Sequence, residues 1–309
     1  MPHNSGGYGG EVSRPDVLDE PVWRARAAAH EARVEPWIRP HLERRRLGQT
    51  HPVEDFCFTY YSYSPSRLRR WHPGAGAVLA GSGAKRYLGN TGYRADPDGA
   101  TADLERLAQR LPTLRFVRNL LSATAARPAQ LGCFGLHEWA MVYRQDPERV
   151  RHTTYPLRLG RAGTDEVVEA HPIRCTHYDA FRFFTSPARP RNVTQLTRTD
   201  QIAAEQPGCL HANMDLYRWA YKLAPFTPSE LVADCFALAR EIRAVDMRAS
   251  PYDLSELGYE PIRVESAPGR AEYVRHQREF ADRSDALRQR LRAECDRLLA
   301  LVDRLSAAG

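Results

Sequence analysis

The sequence predicts an α+β fold that is predominantly α-helical: a single large domain with a small β element and a long C-terminal amphipathic helix. Three observations carry this. From residue 271 to 305 there is no Pro or Gly. Over that span Phe280, Leu287, Leu291, Leu298, Val302 and Leu305 recur at steps of seven, four, seven, four and three. That is one long amphipathic helix, or two stacked ones. The stretch 205–223, EQPGCLHANMDLYRWAYKL, sets Leu210, Met214, Leu216, Tyr217, Tyr221 and Leu223 near helical spacing after a Pro-Gly turn, too many for a surface helix. Residues 155–160 and 166–173 carry alternation and β-branched side chains, so they read as two short strands or a hairpin.

In chain order, residues 1–18 begin with a polar, Gly-rich tail that lacks a basic-then-apolar leader, and the domain spans 19–309. Cytoplasmic residence follows as an expectation. Asp19-Glu20-Pro21 starts a helix, expected to break at Pro36 and Pro40. Residues 51–74, HPVEDFCFTYYSYSPSRLRRWHPG, are the most aromatic stretch. From Trp23 to His72 there are ten arginines against five carboxylates. Arg67, Arg69 and Arg70 among Tyr60, Tyr61, Tyr63 and Trp71 suit either a base-stacking, phosphate-gripping surface or a buried aromatic segment with a basic rim. Residues 81–100, with GNTGY and DPDG, read as loops. Residues 102–125 read as two helices broken at Pro112, and 184–192, FTSPARPRN, as a Pro/Arg loop. The helix near 228–246 is expected to be capped by Thr227 or Ser229.

The chain of 309 residues is 42% hydrophobic and 27% charged, and no apolar run approaches a membrane-spanning length. Net charge is +6 and all but two of its 44 basic residues are arginine, the exceptions being Lys85 and Lys222. That favours an anionic partner, and arginine is the better bidentate phosphate ligand. The six cysteines form no CxxC pair, which argues against a paired-cysteine zinc site or an iron–sulfur cluster. GxGxxG, GxxxxGK[ST], GxSxG, HExxH and HxE…PCxxC are absent, which demotes P-loop hydrolases, serine hydrolases, zincins and zinc deaminases.

Three His/acid pairs stand on apolar backgrounds: His137-Glu138, His177 with Asp179, and His211 with Asp215. An acid and an imidazole in such surroundings are costly unless paired, hydrogen-bonded or used. His211 and Asp215 lie four apart, on one helix face. They are either a structural pair closing a turn or a site carboxylate with an orienting histidine. The first and third pairs sit in segments that echo each other, Leu136-His137…Tyr143-Arg144 and Leu210-His211…Tyr217-Arg218.

At LGCFGLHEWAMVYR, CTHYDAFRFFT, EQPGCLHANMDLYRWAYKL and DMRASPYDL the chain resembles a bacterial family labelled 3-methyladenine DNA glycosylase, over about residues 21 to 299. It is also similar, more loosely, to anti-phage DNA glycosylases that remove hypermodified cytosines such as glucosylated hydroxymethylcytosine. The helix-hairpin-helix signature LPGxG does not appear in it. The resemblance implies base flipping from duplex DNA and hydrolysis of an N-glycosidic bond without metal or cofactor, by a monomer. In this chain Asp215, Glu138, Asp179, His211, His137 and His177 are the candidates for acid/base and charge-stabilising roles. Trp71, Trp139, Phe181 and Tyr60 are candidates for stacking on the flipped base. Arg67, Arg69, Arg70, Arg182, Arg189 and Arg191 are candidates for holding phosphates. Two other readings stand beside it. One is a metal-dependent oxygenase or oxidase using His137, Glu138, His177, Glu205, His211 and Asp215, although none of these pairs has the Glu-x-x-His spacing usual on helices. The other is a non-catalytic DNA-binding protein.

Overall fold

The computed structural model of the protein describes residues 16–145 and 155–308, so the expected tail falls outside it except for its last three residues. Those three, Asp16–Leu18, are strand β1. Helix α1 (Glu20–Arg46) follows, then short turns of helix α2 (Phe56–Thr59) and α3 (Pro65–Arg69) and strand β2 (Ala77–Ala80). Next come α4 (Lys85–Leu88), strands β3 (Tyr93–Asp96) and β4 (Gly99–Ala102), and helices α5 (Leu104–Ala108), α6 (Leu111–Ala125) and α7 (Leu136–Ala140). The chain continues with α8 (Gly160–Ala170), α9 (Tyr178–Phe181), α10 (Gln201–Ala204), α11 (Leu210–Lys222), α12 (Ser229–Arg248) and α13 (Ala267–Ala308). The predominantly helical α+β class, the small sheet and the long C-terminal helix are as expected. Among the described residues no helix is long and apolar enough to cross a membrane.

Helix α11 is the hub. It is buried on nearly every side, packs most extensively on α12, and is also covered by α13. Helix α13 is a single unbroken helix that buries Tyr273, Phe280, Leu291, Cys295, Leu298 and Val302 against α5, α6, α11 and α12. This is the apolar stripe anticipated from the sequence.

Three expectations are corrected. Helix α1 runs straight through Pro36 and Pro40. Its buried residues Trp23, His30, Val34, Ile38 and His41 continue at helical spacing across both prolines, so packing outweighs a local cost of about 3 kcal/mol per proline. The β element is not at 155–173. There α8 forms instead, burying Thr164, Val167 and Val168, a three-then-one spacing that suits a helix face. The sheet is built from 16–18 and 77–102, where loops were expected, in the order β1-β2-β4-β3. β1 pairs parallel with β2, and β4 pairs antiparallel with both β2 and β3. DPDG is the tight turn joining β3 to β4, and a Cβ on Gly99 would run into the backbone oxygen of Leu79. Finally, no side chain caps α12. Ser229 instead accepts the His72 N–H and donates to the Arg70 carbonyl, tying α12 to the aromatic stretch. The six cysteines are free thiols.

Candidate nucleic-acid cleft and the buried His–carboxylate wall

A cleft of about 1390 Å³ opens between the aromatic stretch after α2, the start of α6, α9 and the C-terminal half of α11. Arg67, Arg70, Arg110, Arg182, Arg198, Arg218 and Lys222 are among its lining residues. Tyr60, Tyr63, Phe116, Tyr178, Trp219 and Tyr221 supply its aromatic surface, and Asn90, Thr91, Thr113 and Gln201 its neutral polar groups. Asp179 is the one carboxylate among the lining residues. Seven cations around one carboxylate give the lining a net positive charge.

Behind Asp179 lies a continuous buried network. Arg218, three residues after Asp215 on α11, holds Asp179 on the cleft side and Asp215 at 3.0 Å on the buried side. It also donates to the Tyr60 hydroxyl at 3.1 Å. Asp215 accepts from the Tyr61 hydroxyl at 2.9 Å and from His177 Nε2 at 3.2 Å. The same His177 nitrogen lies 3.5 Å from Glu205. The His177 ring stacks on His211 at 5.5 Å, and His211 meets the His137 ring edge-on at 4.4 Å. His137 Nε2 donates to Asp246 Oδ1 at 2.7 Å, and Arg243 bridges Asp246 and Glu138 at 3.0 and 2.8 Å. All three His/acid pairs named from the sequence thus converge on one wall.

The charges are sorted by their neighbours. Burial pushes the Asp215 carboxyl up, but Arg218 and the bonds from His177 and Tyr61 outweigh it and hold the acid ionised. Burial opposes protonation of His177, and Asp215 and Glu205 overcome it, raising the imidazole above its usual range. Glu205 itself is raised by burial. His211, desolvated and beside a cationic His137, is held neutral. Burial also lifts the hydroxyls of Tyr60 and Tyr61, which therefore remain donors.

The individual expectations divide. His211 and Asp215 do not bond each other: both belong to the wall but use different partners. Glu138 is buried against Arg243 and lines no part of the cleft. Of the stacking candidates, only Tyr60 lines the cleft. Trp139 is buried with its Nε1 on the Ala249 carbonyl, Trp71 is buried with its Nε1 on Glu230, and Phe181 is buried against Phe184. These three large rings fill core volume, which a helix-rich domain draws from its most apolar segments. Of the arginines, Arg67, Arg70 and Arg182 face the cleft. Arg69 turns to Glu35, Arg189 bonds the Arg182 carbonyl, and Arg191 bonds the Val168 and Glu169 carbonyls.

Sequence reasoning missed Tyr61, Arg218, Arg243, Asp246, Arg110, Arg198 and Trp219. Three of them left a trace, since Arg218 follows Asp215 and Asp246 follows Arg243 by three residues, the spacing of an ion pair along one helix face. The rest are brought in by the fold alone. Compared with family models, curated proteins and solved structures, the chain finds no match.

Proposed function

We propose that the protein is a DNA N-glycosylase that takes a modified nucleotide out of the duplex and hydrolyses the bond between base and deoxyribose, leaving an abasic site. The observation that carries this reading is the cleft: arginines on its sides, aromatic rings within it and one carboxylate, Asp179, on its wall. Arginines from several separate segments around the cleft suit the phosphates that flank an extruded nucleotide. Tyr60, Tyr178 and Trp219 offer faces for the base. In the reaction the C1′–N bond breaks, its electrons leave with the base, and water adds its oxygen to C1′. The sugar passes through an oxocarbenium-like state. Asp179 is the group placed to stabilise that charge and to take the water's proton. Asp215 and Tyr60 are positioning residues that hold Arg218, and hence Asp179, in place.

The likeness of four sequence stretches to glycosylase-labelled proteins supports the same reading. The cleft exceeds the roughly 300–1,000 Å³ of ordinary small-molecule sites, which favours a bulky base such as a glucosylated hydroxymethylcytosine of phage DNA over a methylated purine. The test is incubation with duplexes carrying glucosylated hydroxymethylcytosine, an alkylated purine or only normal bases, followed by alkali. Strand breaks confined to a modified duplex are expected. Intact strands on every duplex, from protein that binds them, would leave the chain a DNA-binding protein without this activity.

A further inference from the structure

We propose that His137, Glu138, His211 and Asp246 form a binding site for one divalent transition-metal ion. The site is separate from the cleft and does not depend on the glycosylase reading.

The four residues come from three helices: His137 and Glu138 from α7, His211 from α11 and Asp246 from α12. One donor atom from each lies within 4.8 Å of every other. Donors on one ion at about 2.0–2.2 Å sit no more than about 4.4 Å apart, so a small adjustment of side chains closes the set.

Their outer contacts have the form usual around metal ligands. Arg243 holds Glu138 Oε1 and Asp246 Oδ2, and Asp246 Oδ1 lies 2.7 Å from His137 Nε2, so an ion would take the place of the proton between those two groups. His137 has its Nδ1 held at 3.4 Å by Cys133 Sγ, and its Nε2 on Asp246 Oδ1. With Nε2 turned from Asp246 to the ion, Cys133 on Nδ1 and Arg243 on the two acids remain as the outer partners that orient the ligands. Neither ring nitrogen of His211 has a hydrogen-bond partner among the described residues. Its ring is held by the rings of His137 and His177. That half-buried imidazole stands beside two carboxylates.

Once His137 gives up its proton to ligate, two carboxylates against one guanidinium leave a negative charge for a cation. Two imidazoles and two carboxylates, with no thiolate in the set, suit zinc, ferrous iron or manganese rather than copper(I) or calcium. A crevice of about 10 Å³ beside the cluster, lined by Cys133, His137, His211, Gln206, Tyr273 and Gln277, offers entry and space for about one water ligand. The ion would tie α7, α11 and α12 together behind the cleft.

The experiment is cobalt(II) titration of metal-stripped, full-length protein, read by visible absorption, with metal content of the protein as purified measured in parallel. The expected result is one equivalent per chain with d–d bands from a nitrogen/oxygen site. His211→Gln, which keeps size and polarity, should weaken binding at least tenfold, and Glu138→Gln should do the same. Circular dichroism identifies any variant that fails to fold. The proposal is overturned if folded wild-type protein gives no cobalt bands. It is overturned equally if folded His211→Gln binds cobalt as tightly as wild type.

Discussion

Asp179 and Glu138 have the same chemistry and opposite surroundings, and their substitutions should separate accordingly. Asp179 faces the cleft, so Asp179→Asn should lower turnover by about 10²–10³-fold, roughly 2.7–4 kcal/mol of transition-state stabilisation, with little change in stability. Glu138 is buried against Arg243, and Glu138→Gln leaves a buried guanidinium short of a charge. A loss of up to about 3–5 kcal/mol in denaturant unfolding is expected there, the cost of breaking a buried pair. Equal turnover in wild type and Asp179→Asn would show that Asp179 does not carry the chemistry.

His72 makes a second residue-scale prediction. Its ring is buried with Nδ1 on the Tyr93 hydroxyl, and burial, helped by Arg70, pushes it down to about 3. The unfolded chain takes up that proton near the ordinary histidine value, so its stabilising effect is intact above about pH 6.5 and is lost as pH falls toward 3. Between pH 6 and 4 wild type should lose up to about 1.4 kcal/mol per pH unit more than His72→Gln. Parallel stability profiles for the two proteins would show that His72 does not titrate this way.

At the scale of elements, α3 and the residue that ends it present different arginines to different places. Arg67 and Arg70 line the cleft, while Arg69 is paired with Glu35. Removing Arg67 and Arg70 should reduce the salt dependence of duplex binding by about 0.9 slope unit for each phosphate they neutralise, and Arg69→Ala should leave it unchanged. The reverse pattern would place the DNA on α1 instead. The end of α11 carries Lys222 into the same cleft. An intact abasic strand is expected from a water-using enzyme, without a covalent intermediate. Borohydride trapping of an adduct that disappears in Lys222→Ala would instead make this lysine a Schiff-base nucleophile.

For the whole molecule, α13 decides cooperativity. It covers α5, α6, α11 and α12, and Leu298 is fully buried on it. The sheet has its own small core of Trp23, Trp71, Leu79, Tyr87 and Tyr93, joined to the main body through Trp71 on Glu230 and His72 on Ser229. Leu298→Ala should cost about 2–5 kcal/mol. It should also move the circular dichroism and tryptophan fluorescence transitions together, as one cooperative unit requires. Two transitions that separate would mean that the sheet and the helical body unfold independently.

Periodicity along the chain determined the long helices by itself. The stripe on α13 and the apolar positions of α11 need only a residue spacing to be read, and so does the placing of acid and imidazole types on apolar segments. The sheet was hidden because its strands are three or four residues long and interleaved with glycine, where turn chemistry masks alternation. Helix α1 was cut too short because propensity at Pro36 and Pro40 is local, while the burial of Val34 and Ile38 is not. The same limit governed the site. Asp179, Asp215 and His177 were nameable from their neighbours, but which carboxylate meets the cleft depends on Arg218 and Tyr61. Which rings face a ligand depends on what covers Trp71 and Trp139. Those arrangements join residues as many as 159 positions apart, and only the packing of α11 against α12 and the aromatic stretch decides them.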